Sequence, residues 1–157
     1  MFFFNSSFFC VRIKAEGMFL QETCSIEDIY KYYDSVPKSD TIVNLTLPTH
    51  FELTFKLYSR KATTDPSYAF MRFNSSSGPY MGKGSSGNGK VGINSTTLQT
   101  ISSNVEYSYQ LVYDGTTKMY INGTSISITV NTGALSTLYM ITSSRNTDLT
   151  DIKIKAL

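Results

Sequence analysis

The chain has 157 residues, of which 41% are hydrophobic and 17% charged, with a formal net charge of +2. That length holds one domain with a sizeable core and is short for two, and the composition excludes the low-hydrophobicity, high-charge signature of disorder. A charge so near neutral implies no field that would hold nucleic acid, while 21 Ser and 19 Thr beside 11 Tyr and 10 Phe favour strands with hydroxyl-bearing outer faces over helices.

The chain opens on MFFFNSSFFCVRIKAEGMFL. It lacks the positive start of a secretory signal, Asn5, Ser6 and Ser7 cut its apolar run, and Arg12 and Lys14 follow too soon. No window approaches the roughly 18 apolar residues of a membrane span, so the expectation is a soluble chain without membrane insertion. Val11 to Ala15 (VRIKA) nearly repeats Ile152 to Ala156 (IKIKA). Residues 1–23 therefore read as an N-terminal segment, the end of a preceding repeat or an added strand, and 24–157 as the domain proper. Cys10 and Cys24 have neither the neighbours nor the spacing of a zinc site. A bridge between them would contribute about 3 kcal/mol in an oxidising compartment; two free thiols are the alternative.

Ser25 to Tyr33 is the one stretch with helical character, with Ser25 as a possible N-cap and Glu27-Asp28 in a first turn. Its tyrosines fit a strand or loop equally well. Val43, Leu45 and Leu47 alternate with polar residues, as do Phe51, Leu53, Phe55 and Leu57, which predicts two strands around Pro48. Tyr68 to Phe73 predicts another. Gly84 to Val91 (GSSGNGKV) matches a phosphate-binding loop up to Val91, which stands where Ser or Thr would hold magnesium. The following VGINSTTLQT is rich in β-branched residues and poor in helix formers, so the expected element is a surface loop and not an anion cradle. Val105, Tyr107, Tyr109, Leu111 and Tyr113 share one strand face, ended by Asp114-Gly115. Met119 and Ile121 begin a second strand, and Asn122-Gly123 is a strong signal for a type I′ hairpin leading to Ile126, Ile128 and Val130. Leu138 to Thr142 and Asp151 to Leu157 complete the set. A meander with one apolar face needs a second layer, so the predicted fold is all-β, a two-sheet antiparallel β-sandwich of jelly-roll type.

The ordered segments FELTFKLYSR, YSYQLVYDGTTKMYINGTSI and TDLTDIKIKAL resemble the concanavalin A-like superfamily, above all laminin G-like and lectin-type jelly rolls. The resemblance rests on Tyr113-Asp114-Gly115, Tyr120-Ile121-Asn122-Gly123 and Leu149 to Ile154, with Tyr107 where a Trp often leads the central strand. It implies the same sandwich and a function among lectins, adhesins, glycosidases and fibre modules. It also implies that calcium sites occur at the rim of such domains, but Asp114 and Asn122 already have turn roles, so neither metal nor cofactor is expected.

Retaining glucanases of that fold would carry an E-x-D-x-E cluster on one strand, which this sequence lacks. The nearest acidic groups are Glu22, Glu27 and Asp28, and Asp148 with Asp151. The single His50 sits in a turn before a strand. The chain is therefore not expected to be an enzyme. Five N-x-[ST] sequons, at Asn5, Asn44, Asn74, Asn94 and Asn122, are compatible with a surface protein. Two function classes remain. One is a non-catalytic carbohydrate-binding or adhesion module of a cell-surface or virion protein, extracellular, with a glycan as partner. The other is a structural spacer of a phage or viral tail fibre or surface fibre that contacts only neighbouring domains. If a glycan binds, Tyr68, Arg72, Tyr80 and Arg145 are the candidate site residues, because flat rings stack on sugars and planar cations bond hydroxyls.

Overall fold

The computed structural model of the chain describes residues 30–36, 38, 41–62, 68–83, 89–144 and 146–157. Twelve strands follow one another as β1 (Tyr30–Ser35), β2 (Thr41–Thr46), β3 (Phe51–Ser59), β4 (Tyr68–Phe73), β5 (Tyr80–Lys83), β6 (Lys90–Ile93), β7 (Thr96–Thr100), β8 (Val105–Tyr113), β9 (Thr117–Ile121), β10 (Thr124–Val130), β11 (Thr137–Ile141) and β12 (Thr147–Ala156). They pair antiparallel into two six-stranded sheets, ordered β1-β12-β3-β8-β9-β10 and β2-β11-β4-β5-β6-β7. The fold is thus the all-β jelly-roll sandwich that the alternating segments predict.

Period-two burial explains why the sheets stack. Phe51, Leu53, Phe55 and Leu57 of β3 are buried while the residues between them are half-exposed. Tyr109, Leu111 and Tyr113 of β8 join them, and Phe70, Met71, Phe73, Met81, Val91, Ile93, Leu138 and Ile141 supply the facing layer. Phe55 stacks on Tyr109 at 5.2 Å and meets Phe70 of the opposite sheet at 5.7 Å. The Tyr109 hydroxyl crosses between sheets, donating to Gln99 Oε1 at 3.0 Å. Burial, with Tyr107 beside it, pushes that hydroxyl well above the ordinary phenol range.

Several local readings are refined by the structure. Tyr30 to Tyr33, within the stretch given helical character, belongs to β1 and pairs with Ile152 to Lys155. Tyr33 and Val36 are buried there, so pairing to β12 decides the conformation; residues 25–29, like Cys10, Cys24, Asn5 and the VRIKA segment, lie outside the described residues. Val105, placed by alternation on the apolar face, is 41% exposed, because it is the first residue of β8 and pairs only with Ser59 at the end of β3. The closing strand starts at Thr147, earlier than alternation suggests, because a bulge between Thr150 and Lys153 breaks the period. Asp151 sits at φ +54° in that bulge, and Leu149 and Ile152, three residues apart, both reach the core. Strands β5 and β6 have no clear alternation, since Gly82 and Gly92 interrupt it, and a register shift against β6 between Val91 and Gly92 breaks the period of β7. Lys90, at the end of the phosphate-loop-like stretch, opens β6 of an antiparallel β5–β6 pair, where an anion cradle would need a helix.

Asn122 (φ +48°) and Gly123 (φ +78°) form the expected hairpin turn with both central residues at positive φ. Asn122 donates its amide N–H to Ser108 O and accepts from Ser108 N–H through Oδ1, each at 2.8 Å, so its side chain extends the ladder. Asn94 does the same with Tyr80, and Asn74 with Thr137. All three, and Asn44, adopt positive φ. Four of the five sequons therefore have a conformational reason to hold Asn, the residue that tolerates the left-handed region best after Gly. A Gly123→Val chain should lose about 1–2 kcal/mol, all of it backbone strain, since no atom lies within 4 Å of an added Cβ. Thermal melting checks this against Gly123→Asn, which should lose far less; equal stability of the Val chain and the unmodified protein would contradict the turn.

Candidate functional site

The solvent-facing side of the first sheet is built from the alternate residues that the core does not use. Lys153, Thr54, Gln110 and Tyr120 are successive register partners across β12, β3, β8 and β9. One row over, Thr150, Lys56 and Ser108 pair in the same way. Between these rows lies an open hollow of about 310 Å³, lined by Thr54, Lys56, Ser108, Gln110, Tyr120 and Asp151, with Phe55, Tyr109 and Gly123 completing its wall. One aromatic ring, one amide, two hydroxyls and one ion pair thus converge on a space of ligand-site size.

The β12 bulge aims Asp151 at this hollow. Its carboxylate lies 3.5 Å from Lys56 Nζ and 3.3 Å from Lys153 Nζ, and Lys56 is also 3.9 Å from Glu106. Such half-exposed pairs add little stability. They do hold two flexible lysines against two carboxylates, giving a face of fixed donors and acceptors with no net charge. At the end of the same sheet Asp148 bonds Arg60 at 2.5 Å and Lys38. Burial pushes the Asp148 carboxyl up, but Arg60 and Lys38 more than offset it and hold it below the ordinary range. Arg60 also lies 5.4 Å over the Tyr58 ring. In the β8–β9 turn, Lys118 first and then the Thr116 hydroxyl and N–H hold Asp114 well below the usual carboxylate range, the structural role expected of that turn residue.

Three of the four residues singled out in the sequence, Tyr68, Arg72 and Tyr80, lie on the second sheet. Arg72 and Tyr80 are cross-strand partners on its outer face, with the guanidinium 5.4 Å over the ring. Tyr68, on the same strand as Arg72, is half-buried, packs against the core and meets Phe70 edge-on at 6.2 Å. Arg145 lies outside the described residues. The structure therefore brings two of the four together. Sequence reasoning passed over Tyr120, Gln110, Thr54 and Lys56 and weighed Asp151 only as a catalytic carboxylate, because attention to the apolar face leaves its polar partners as filler. Tyr120 carried a signal all the same: it is the aromatic that falls on the polar side of the β9 alternation. Among the described residues no group of three or more His, Cys, Asp or Glu side chains could hold a metal ion, and no helix is long and apolar enough to cross a membrane.

No family model matches the chain, and no curated protein matches it. Among solved structures it is similar to an HCR/D mutant, with a TM-score of 0.56 and 16% identity over 89% of this chain and 41% of that one. It is also similar to the binding domain of botulinum neurotoxin serotype C1, with a TM-score of 0.50 and 15% identity over 81% of this chain and 43% of that one. A third similarity is to the galectin LEC-6 of Caenorhabditis elegans, with a TM-score of 0.49 and 8% identity over 84% and 99% of the two chains. This chain spans less than half the length of the first two, and the likeness to them is one of fold.

Proposed function

We propose that the chain is a non-catalytic carbohydrate-binding or adhesion module of the concanavalin A-like kind, working outside the cell on a cell surface or virion, and that it takes a neutral glycan in the hollow of the first sheet. The observation that carries this reading is the convergence of Tyr120, Gln110, Thr54, Ser108 and the Lys56–Asp151 pair on one hollow of about 310 Å³. A pyranose has a C–H face that an aromatic ring covers and a rim of hydroxyls that each donate and accept, so it needs this mixture of groups. The balanced charge of Lys56, Lys153, Glu106 and Asp151 favours an uncharged ring over an anionic one. Both carboxylates are tied to the same lysine, and only Asp151 lines the hollow, which suits binding better than double displacement by a carboxylate pair. The neurotoxin binding domain supports the reading at the level of architecture alone.

The test replaces Tyr120 and Gln110 together by Ala and measures retention on immobilised neutral cell-wall polysaccharide. Retention should fall at least about tenfold, the effect of losing one stacking and one bonding group, while melting stays close to that of the unmodified protein. Equal retention of both chains would remove the hollow as the site. Absence of retention for the unmodified protein on every neutral polysaccharide would leave the spacer reading in its place.

A further inference from the structure

The outer face of the second sheet carries a different chemistry. Ile42, Met140, Arg72 and Tyr80 are register partners in one row across β2, β11, β4 and β5. Ile42 is 59% exposed, while Met140, Arg72 and Tyr80 are half-buried. Lys38 and Arg60 share Asp148, Lys56 and Lys153 share Asp151, and Lys118 holds Asp114. Arg72 differs: among the described residues its guanidinium makes no ion pair and no hydrogen bond, and the partner of that side chain is the Tyr80 ring 5.4 Å away. A guanidinium laid over an aromatic ring is fixed in orientation without using its five N–H donors, a fork that matches a carboxylate bidentately.

From this we infer that the row around Arg72 is a second binding site, separate from the hollow of the first sheet, for a saccharide that bears a carboxylate. Arg72 holds the carboxylate through paired N–H···O bonds, Tyr80 holds the guanidinium in place beneath them, and Met140 and Ile42 offer apolar surface to the C–H side of the sugar ring. An acidic peptide fits less well. β4 lies between β11 and β5, and β5 between β4 and β6, so neither offers a free edge on which a peptide could add main-chain bonds, and β2, which ends the sheet order, is separated from Arg72 on β4 by β11. A sugar chain needs only side chains. A glycan with both neutral and acidic units could then engage the two faces of one module.

The experiment titrates the whole chain by calorimetry with a galacturonate trimer, with its fully methyl-esterified form, with sialyllactose and with poly-glutamate. The trimer, sialyllactose or both should bind, more weakly as salt is raised. The ester, which keeps the ring and loses the charge, should bind at least about tenfold less tightly than the acid. Arg72→Gln should lose the same factor. Arg72→Lys should recover only part of it, because an ammonium keeps the charge without the fork. Tyr120→Ala should leave acid binding unchanged, which keeps failure here distinct from failure of the neutral-glycan site. Acid and ester binding alike, affinity unaltered in an Arg72→Gln chain that melts normally, no binding of either acidic saccharide, or binding of poly-glutamate alone would each overturn the inference.

Discussion

A Phe55→Ala chain should lose about 3–5 kcal/mol of stability, the range for truncating a fully buried aromatic residue. Phe55 is 1% exposed and belongs to the central strand of the first sheet, yet its ring touches both layers: it stacks on Tyr109 beside it and meets Phe70 across the sandwich. Removing the ring leaves a void with rigid walls. β3 is paired to β8 at every residue from Phe51 to Ser59, and to β12 along its other edge, so the backbone cannot close the gap without breaking ladders. Against a total of about 5–15 kcal/mol for a domain, this is a large fraction. Urea unfolding should show a lower midpoint with an unchanged slope, and Phe55→Leu should recover most of the difference. A loss under about 1 kcal/mol would mean that Phe55 does not bridge the layers as described.

Such a residue was legible in the sequence, because one buried face writes itself as period two. Phe51 to Leu57, Tyr109 to Tyr113 and the Asn122-Gly123 turn follow from alternation and from the demand for positive φ. The candidate site was much less so. The hollow depends on which polar residues become neighbours through β3–β8 and β8–β9 register, and on a bulge that turns Asp151 outward, neither of which has a local signature. Lys83 marks the same limit. In sequence it sits in a glycine-rich run that suggests a solvated loop, but β5 points it inward beside Met81, where it is 1% exposed and donates to Lys61 O at 3.0 Å and Ser59 Oγ at 3.3 Å. Four-residue strands with a glycine inside them, as in β5 and β6, hide their inward faces from any pattern of hydrophobicity.

Gly78→Ala should lose about 3 kcal/mol or more, although the change adds a single methyl group. Gly78 lies in the connection from β4 to β5, and a Cβ built on it would stand 2.0 Å from Phe73 O and 3.2 Å from Ser75 N, both backbone atoms. Phe73 cannot yield: its ring is fully buried, it pairs with Leu138, and its N–H donates to Pro79 O at 2.8 Å. Nor can the next residue, since Asn74 Oδ1 accepts from the N–H groups of Ser136 and Thr137. The connection must open instead, and with it the bonds from Phe73 N–H to Pro79 O and from Gly78 N–H to Ser75 O. Gly133→Ala is the informative comparison. Gly133 has φ +67° with nothing within 4 Å of an added Cβ, so its loss should be only about 1 kcal/mol of backbone strain. Melting of the two chains side by side separates collision from strain: Gly78→Ala should melt well below Gly133→Ala, and the reverse order would mean that the connection is not held against Phe73. Because β5 begins at Tyr80, two residues beyond Gly78, an opened connection should also displace the ring that orients Arg72. Binding of the acidic saccharide should accordingly fall in Gly78→Ala and persist in Gly133→Ala, with retention on neutral polysaccharide through Tyr120 little changed in either chain that remains folded.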